Sequence, residues 1–271
     1  MPDNPQAKSA FDAATRGLYH AFAKCRGQAN WSDCLDVLTP ERQSRPARLP
    51  AKELSDEDVS YFFSHSGYSM QHSDLVNGVK YFLPRVLASY LSEESCCKPS
   101  MVADAWFLGE RLRQSEWLSW PNEQVEAVRS WFAAWLDAIV AFQPSLGAGS
   151  SSMWELPGNR SIHSWLEFAG KLDFDTASLV EKVEAGENRL AVNLVEACLQ
   201  EFGKTLLRKH VLWEASSPAH QQPLLEWLLR YKTEKRLEEA FFECKGPPSE
   251  RFVSKLLESL RAHKAALPSF G

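Results

Sequence analysis

The sequence predicts an all-α fold: an irregular array of antiparallel helical hairpins, like a degenerate helical repeat, or a multi-helix bundle. Three observations carry this. Apolar residues return every three to four positions in segment after segment, which is the period of one face of a helix. Period-two runs of Val, Ile and Thr, the signature of strands, are absent. Ten Trp in 271 residues supply large rings for packing helix against helix.

The elements follow in chain order, about eleven helices by periodicity. Residues 8–25 place Phe11, Ala14, Leu18, Phe22 and Cys25 on one face, and Gly27 supplies a stop. Residues 31–38 allow two turns. Pro40, Pro46 and Pro50 then forbid a continuous helix across 40–53, a stretch made basic by Arg42, Arg45, Arg48 and Lys52. Ser55 and Asp58 form a capping-box-like start for a helix to about His65. Ser73 caps the next, with Leu75, Val79 and Phe82 inward, and Pro84 within it predicts a kink or a restart. Helices at 100–113 and 122–142 follow. The second repeats Val125, Val128, Phe132, Trp135, Ile139 and Phe142 at alternating intervals of three and four.

Residues 144–160 read as a linker of Pro, Gly and Ser between an N-terminal half, 1–143, and a C-terminal half, 161–271, unless the chain is one continuous domain. Beyond it, helices are predicted at 161–171, 176–184, 188–202, from Pro218, at 232–244 and at 249–264, with Pro247-Pro248 as a separator. Most connections are short, so successive helices are expected as hairpins.

Composition narrows the function. A net charge of −5 argues against a general nucleic-acid binder. No apolar run reaches the roughly 18 residues of a membrane span, and the polar start Met1 to Gln6 lacks a secretory signal, so a cytoplasmic location is expected. The six Cys show no C-x-x-C spacing, so reduced thiols are expected and no metal site. No phosphate-binding loop, dinucleotide fingerprint, nucleophile elbow or zinc-binding His pair is present, so no cofactor is expected.

The run Asn77-Gly78-Val79-Lys80-Tyr81-Phe82-Leu83-Pro84-Arg85-Val86-Leu87, after the start Leu54-Ser55-Asp56-Glu57-Asp58, resembles a group of uncharacterised bacterial proteins with a Phe-Leu-Pro-Arg signature. The resemblance covers roughly the first 90 residues and implies an all-helical cytosolic protein of bacterial origin, with no established activity. In those proteins a paired-cysteine motif often follows the first helix. Here only Cys34 stands near that place.

Tyr81 and Arg85 are the candidate binding residues of the signature, since Arg85 could clamp a carboxylate or phosphate. The alternative role for Arg85 is to pair with an acid of a neighbouring helix and lock the bend at Pro84. Trp131 is the third candidate. It follows the inward pattern by one position, next to Phe132, and is expected to project toward a second contact, either a further helical layer or a partner. Two functions are consistent with this reading. The first is a protein-binding helical module, acidic and aromatic, such as an immunity-type antagonist of a basic toxin or nuclease; self-association is left open. The second is a hydrolase with a site in a helical groove built from His65, Asp74 and Arg85.

Overall fold

Helical periodicity is realised as ten α-helices and two short 3₁₀ turns, with no strand among the described residues. The structure, a computed structural model, describes residues 5–26, 49–55, 59, 72–90, 105–142, 161–172, 174–202, 218–244 and 246–266. The helices predicted at 31–38 and 55–65 and the linker 144–160 therefore lie outside the described residues, except for single positions. The chain divides into two compact units, Met1–Ala141 with Pro157–Arg160, and Phe142–Leu156 with Ser161–Gly271. No helix among the described residues is long and apolar enough to cross a membrane.

The first unit contains α1 (Pro5–Ala21), α2 (His72–Ser89), α3 (Ala105–Gln114) and α4 (Asn122–Phe142). Helix α1 opens on a proline, whose missing N–H lies among the donors that have no intrahelical acceptor anyway. It buries Ala7, Phe11 and Leu18 and packs on α2. Helix α2 runs unbroken through Pro84, which is itself buried. The proline removes one ladder bond, yet Phe82, Leu83, Val86 and Leu87 around it are 1 % exposed or less. Burial of this apolar run offsets the lost bond, so the predicted restart does not occur.

Aromatic rings form the core of this unit. Trp131 stacks on Trp135 with centroids 5.4 Å apart, and Tyr90 stands edge-on to both at 5.5 and 5.1 Å. Phe11 of α1 closes the cluster against Trp131 at 5.5 Å. Edge-to-face and offset contacts of this kind stabilise beyond the area they bury.

The second unit contains α5 (Ile162–Leu172), α6 (Ala177–Ala185), α7 (Asn188–Phe202), α8 (Pro218–Leu229), α9 (Tyr231–Glu243) and α10 (Pro247–Ala266). The tandem prolines 247 and 248 lie in the first turn of α10 rather than before it, the place where their missing N–H groups cost least. Packing partners reveal the order. Helix α7 contacts α5 and α9, and α6 contacts α8, so helices two apart in sequence lie side by side. Sequential pairs α6–α7, α8–α9 and α9–α10 also touch. These are the contacts of stacked hairpins, with α10 additionally covering α7.

The α6–α7 junction is held by one buried cation. Arg236 of α9, 6 % exposed, donates to the carbonyls of Val183 at 2.5 Å and Gly186 at 2.7 Å, and to Asn188 Oδ1 at 3.1 Å. It thereby satisfies C-terminal carbonyls that a helix leaves without intrahelical donors. Gly186 at this turn admits Leu190, because a Cβ there would overlap Leu190 Cδ1.

Removing the guanidinium takes three hydrogen bonds from the junction and leaves the buried Val183 carbonyl with the Gly186 N–H alone. Arg236→Ala is expected to lower unfolding free energy by about 2–4 kcal/mol in urea titrations. Arg236→Lys should recover less than half, since an ammonium cannot span three acceptors arranged around a planar fork.

Candidate functional site

Helix α6 presents Ala177, Val180, Glu181, Glu184 and Ala185 along one face, spaced as a helical stripe. Helix α8 answers with Gln222, Pro223 and Glu226, followed by Arg230 at its end and Lys232 on the first turn of α9. Because α6 and α8 pack side by side, these residues line an open groove of about 800 Å³. Its floor is apolar (Ala177, Val180 and Pro223) and its rim is charged.

Glu184 organises one end. Its carboxylate accepts the indole N–H of Trp227 at 2.9 Å and Lys232 Nζ at 2.5 Å, with Arg230 at 4.0 Å. The hydrogen bond from Lys232 is the main cause that holds this carboxyl below the usual carboxylate range; the Lys232 charge, the Trp227 bond and the Arg230 charge add to it against partial burial. Trp227 itself is fully buried, and its carbonyl accepts the Thr233 hydroxyl at 2.5 Å. Trp227 is thus held at its main chain by Thr233 and at its indole N–H by Glu184.

The other two carboxylates differ. Glu181 and Glu226 are exposed, and neither has a cationic side chain at ion-pair distance among the described residues. Glu226 accepts only Gln222 Nε2 at 2.7 Å among the hydrogen bonds described. The groove therefore carries two carboxylates available to a ligand beside one that is already neutralised.

The sequence candidates lie elsewhere, in the first unit. Tyr81 and Arg85 are indeed brought together on one face of α2. The Tyr81 hydroxyl donates to the Leu49 carbonyl, and Arg85 Nε donates to the Leu54 carbonyl at 3.0 Å. They tie the segment 49–54, with its 3₁₀ turn Ala51–Glu53, onto α2. Tyr81 is 3 % exposed. Near Arg85, the phenol of Tyr19 is pushed up by burial, with the guanidinium charge opposing.

Of the two contacts expected for Trp131, a further helical layer or a partner, the fold supplies the layer. Trp131 is 0 % exposed and covered by Phe11, Tyr90 and Trp135, because α4 buries a wider arc than one stripe, including Ala134, Leu136 and Ala138. Trp117 and Trp120 are likewise buried.

Of the three hydrolase candidates the structure describes Asp74 and Arg85, and it does not bring these two together. Asp74 and Arg85 stand at opposite ends of α2, eleven positions apart, which is roughly 16 Å along the axis. His65, Trp154, Cys34, Cys96 and Cys97 lie outside the described residues. Cys25 and Cys244 are free thiols, and burial raises the pKa of both; Cys198 is buried in α7. Among the described residues no three His, Cys, Asp or Glu side chains converge to hold a metal ion.

No protein-family model, no curated protein and no solved structure matches this chain.

Glu184 and Glu234 make an acid limb of stability expected. The Glu234 carboxyl is also held below the carboxylate range, chiefly by its hydrogen bond from Lys264 and then by one from Arg261. A lowered folded-state pKa contributes stability that is present above the unfolded value, about 4.3, and is lost as pH falls through the folded value. Glu184→Gln and Glu234→Gln should each cost stability at pH 7, and their deficits relative to the parent should shrink as urea titrations move toward pH 3. Deficits that stay constant with pH would show that these charges do not couple to folding.

Proposed function

We propose that this chain is a protein-binding helical module, and that the α6–α8 groove receives a basic, partly apolar segment of its partner. One observation carries the reading. The groove combines an apolar floor with two exposed carboxylates, Glu181 and Glu226, that no cation within the described chain neutralises. A ligand with a cationic side chain set among apolar ones would match both features, gaining charge-assisted hydrogen bonds and burying the floor.

Two further features support this choice. The net charge of −5 favours encounter with basic surfaces. Grooves between neighbouring helices of stacked hairpins are the surfaces that helical-repeat proteins use for recognition. An acidic antagonist masking a basic toxin or nuclease is a partner relation of this chemistry. Tyr81 and Arg85 then act in the first unit as anchors of the segment 49–54 rather than as ligand contacts.

The test uses the full chain and a fluorescein-labelled amphipathic Leu/Lys peptide, read by fluorescence anisotropy. Binding at low salt should weaken steeply as salt is raised. The double reversal Glu181→Lys/Glu226→Lys should weaken it by about tenfold or more. The reversal Glu123→Lys/Glu126→Lys, on α4 of the first unit, should change it less than about twofold. Equal losses in both double variants would mean that bulk charge, not the groove, holds the peptide. Absence of binding at low salt would remove the reading altogether.

A further inference from the structure

Helix α9 has a buried side and an outer side, and the outer side is unusual. Inward lie Thr233, Arg236, Leu237 and Ala240. Outward lie Tyr231, 77 % exposed, and Phe242, 84 % exposed, two of the large apolar side chains that the fold leaves in water. They stand eleven positions apart, which is three helical turns within about 20° and roughly 16 Å along the axis. Between them on the same face, Lys235 and Glu239 form a loose pair at 3.8 Å with side chains 60 % and 49 % exposed.

Glu238 lies on the same arc but is taken up by Arg261, and Glu239 also accepts Asn188 Nδ2 at 3.3 Å; the exposed side chains left for a partner run aromatic, cation, anion, aromatic. This order is self-complementary under a two-fold axis. When two copies of α9 lie antiparallel with the axis near Leu237, each residue meets one about equally far on the other side of that centre. Tyr231 then meets Phe242 of the second copy, and Lys235 meets its Glu239. Both rings find an aromatic partner and both charges find an opposite one, with no like charges opposed at these positions. A parallel or heterologous contact would not pair all four residues at once.

We infer that the outer face of α9 is a homodimerisation surface that pairs with a second copy of this chain antiparallel across a two-fold axis. The occupant is argued from this charge and ring complementarity. Four rings brought together bury on the order of 800 Å², below the roughly 1,200 Å² of a stable complex, so the dimer is weak and concentration-dependent. This surface is separate from the groove side chains Glu181 and Glu226, so neither proposal depends on the other.

Sedimentation velocity on the full chain, from about 5 µM to about 500 µM, tests it. A reversible monomer–dimer equilibrium is expected. Phe242→Glu should weaken the dimer at least tenfold; the residue is exposed, so the far-UV spectrum should not change. Lys235→Glu and Glu239→Lys should each weaken it several-fold by opposing like charges, and the double swap Lys235→Glu/Glu239→Lys should restore it. That restoration separates a paired register from non-specific association of exposed rings. A chain that stays monomeric throughout, a dimer indifferent to Phe242→Glu, or a double swap no better than the single ones would each overturn the inference. Basic-peptide binding by Phe242→Glu should match the parent, which keeps this result independent of the groove.

Discussion

Helix α7 has no solvent face over its central turns: every residue from Leu190 to Leu199 is buried. That constraint organises the second unit. The helix is stable only with neighbours on each side, because uncovering the arcs of Leu190, Leu194, Val195 and Leu199 would return Leu and Val to water at about 1.5–3 kcal/mol each, and the remaining arc, which carries Asn193 and Glu196, is covered as well. The neighbours are α5 and α9 on its flanks, with α6 and α10 completing the cover. Once α6 lies against α7 and α8 lies against α6, the groove between α6 and α8 is a geometric consequence. The groove is therefore only as rigid as the packing around α7.

Burial alone would leave the short turn between α6 and α7 underdetermined. Two local devices fix it. Gly186 gives Leu190 room to reach the core, and Arg236 ties the end of α6 to α9 through main-chain oxygens. Desolvation is the leading cause lowering the Arg236 pKa, with the fields of Glu184, Glu239 and Glu243 opposing. The cation stays charged because a guanidinium titrates far above neutral pH. Its cost of burial is offset by three acceptors, the carbonyls of Val183 and Gly186 and the Asn188 side-chain oxygen. Glu184 projects from the last turns of α6, so the position of this carboxylate in the groove depends on the same clamp.

Periodicity made the helices legible, and it did so best where packing is one-sided. Helix α1 and the stripe of α4 read directly from Phe11, Leu18, Val125, Val128 and Ile139, all of which are buried. Periodicity failed where a helix is buried on more than one side. The inward stripe of α4 does not say which of two contacts covers Trp131, and Val192, Asn193, Glu196 and Ala197 of α7 are buried beyond the one face its spacing marks. The Phe-Leu-Pro-Arg run drew attention for a sound reason, since proline inside a helix needs compensation. That compensation is packing, and Tyr81 and Arg85 serve it by holding the 49–54 segment. The groove was invisible for the opposite reason. Glu181 and Glu226 are ordinary surface carboxylates in sequence, and only the pairing of α6 with α8 places them on one rim. The single sequence signal that could have pointed there is Trp227, a ring on the helix seam whose N–H needs an acceptor; that acceptor is Glu184.

The junction between α8 and α9 links these features physically. Arg230 breaks the helix with extended backbone, φ −65° and ψ 141°, and the next residues diverge at once. Tyr231 points to the outer face, while Lys232, about 100° around the helix, reaches back to Glu184. Thr233 closes the corner by donating to the Trp227 carbonyl, and Lys264 of α10 holds the Arg230 carbonyl at 3.1 Å. The angle between α8 and α9 is thus set by hydrogen bonds to two main-chain oxygens rather than by side-chain volume alone. A corner specified in this way is stiff, because tilting α9 would break directional bonds before it loosened any apolar contact. It follows that the groove on one side of this corner and the aromatic face on the other are presented by a single rigid element, and that three consecutive residues, Arg230 to Lys232, decide where each of them points.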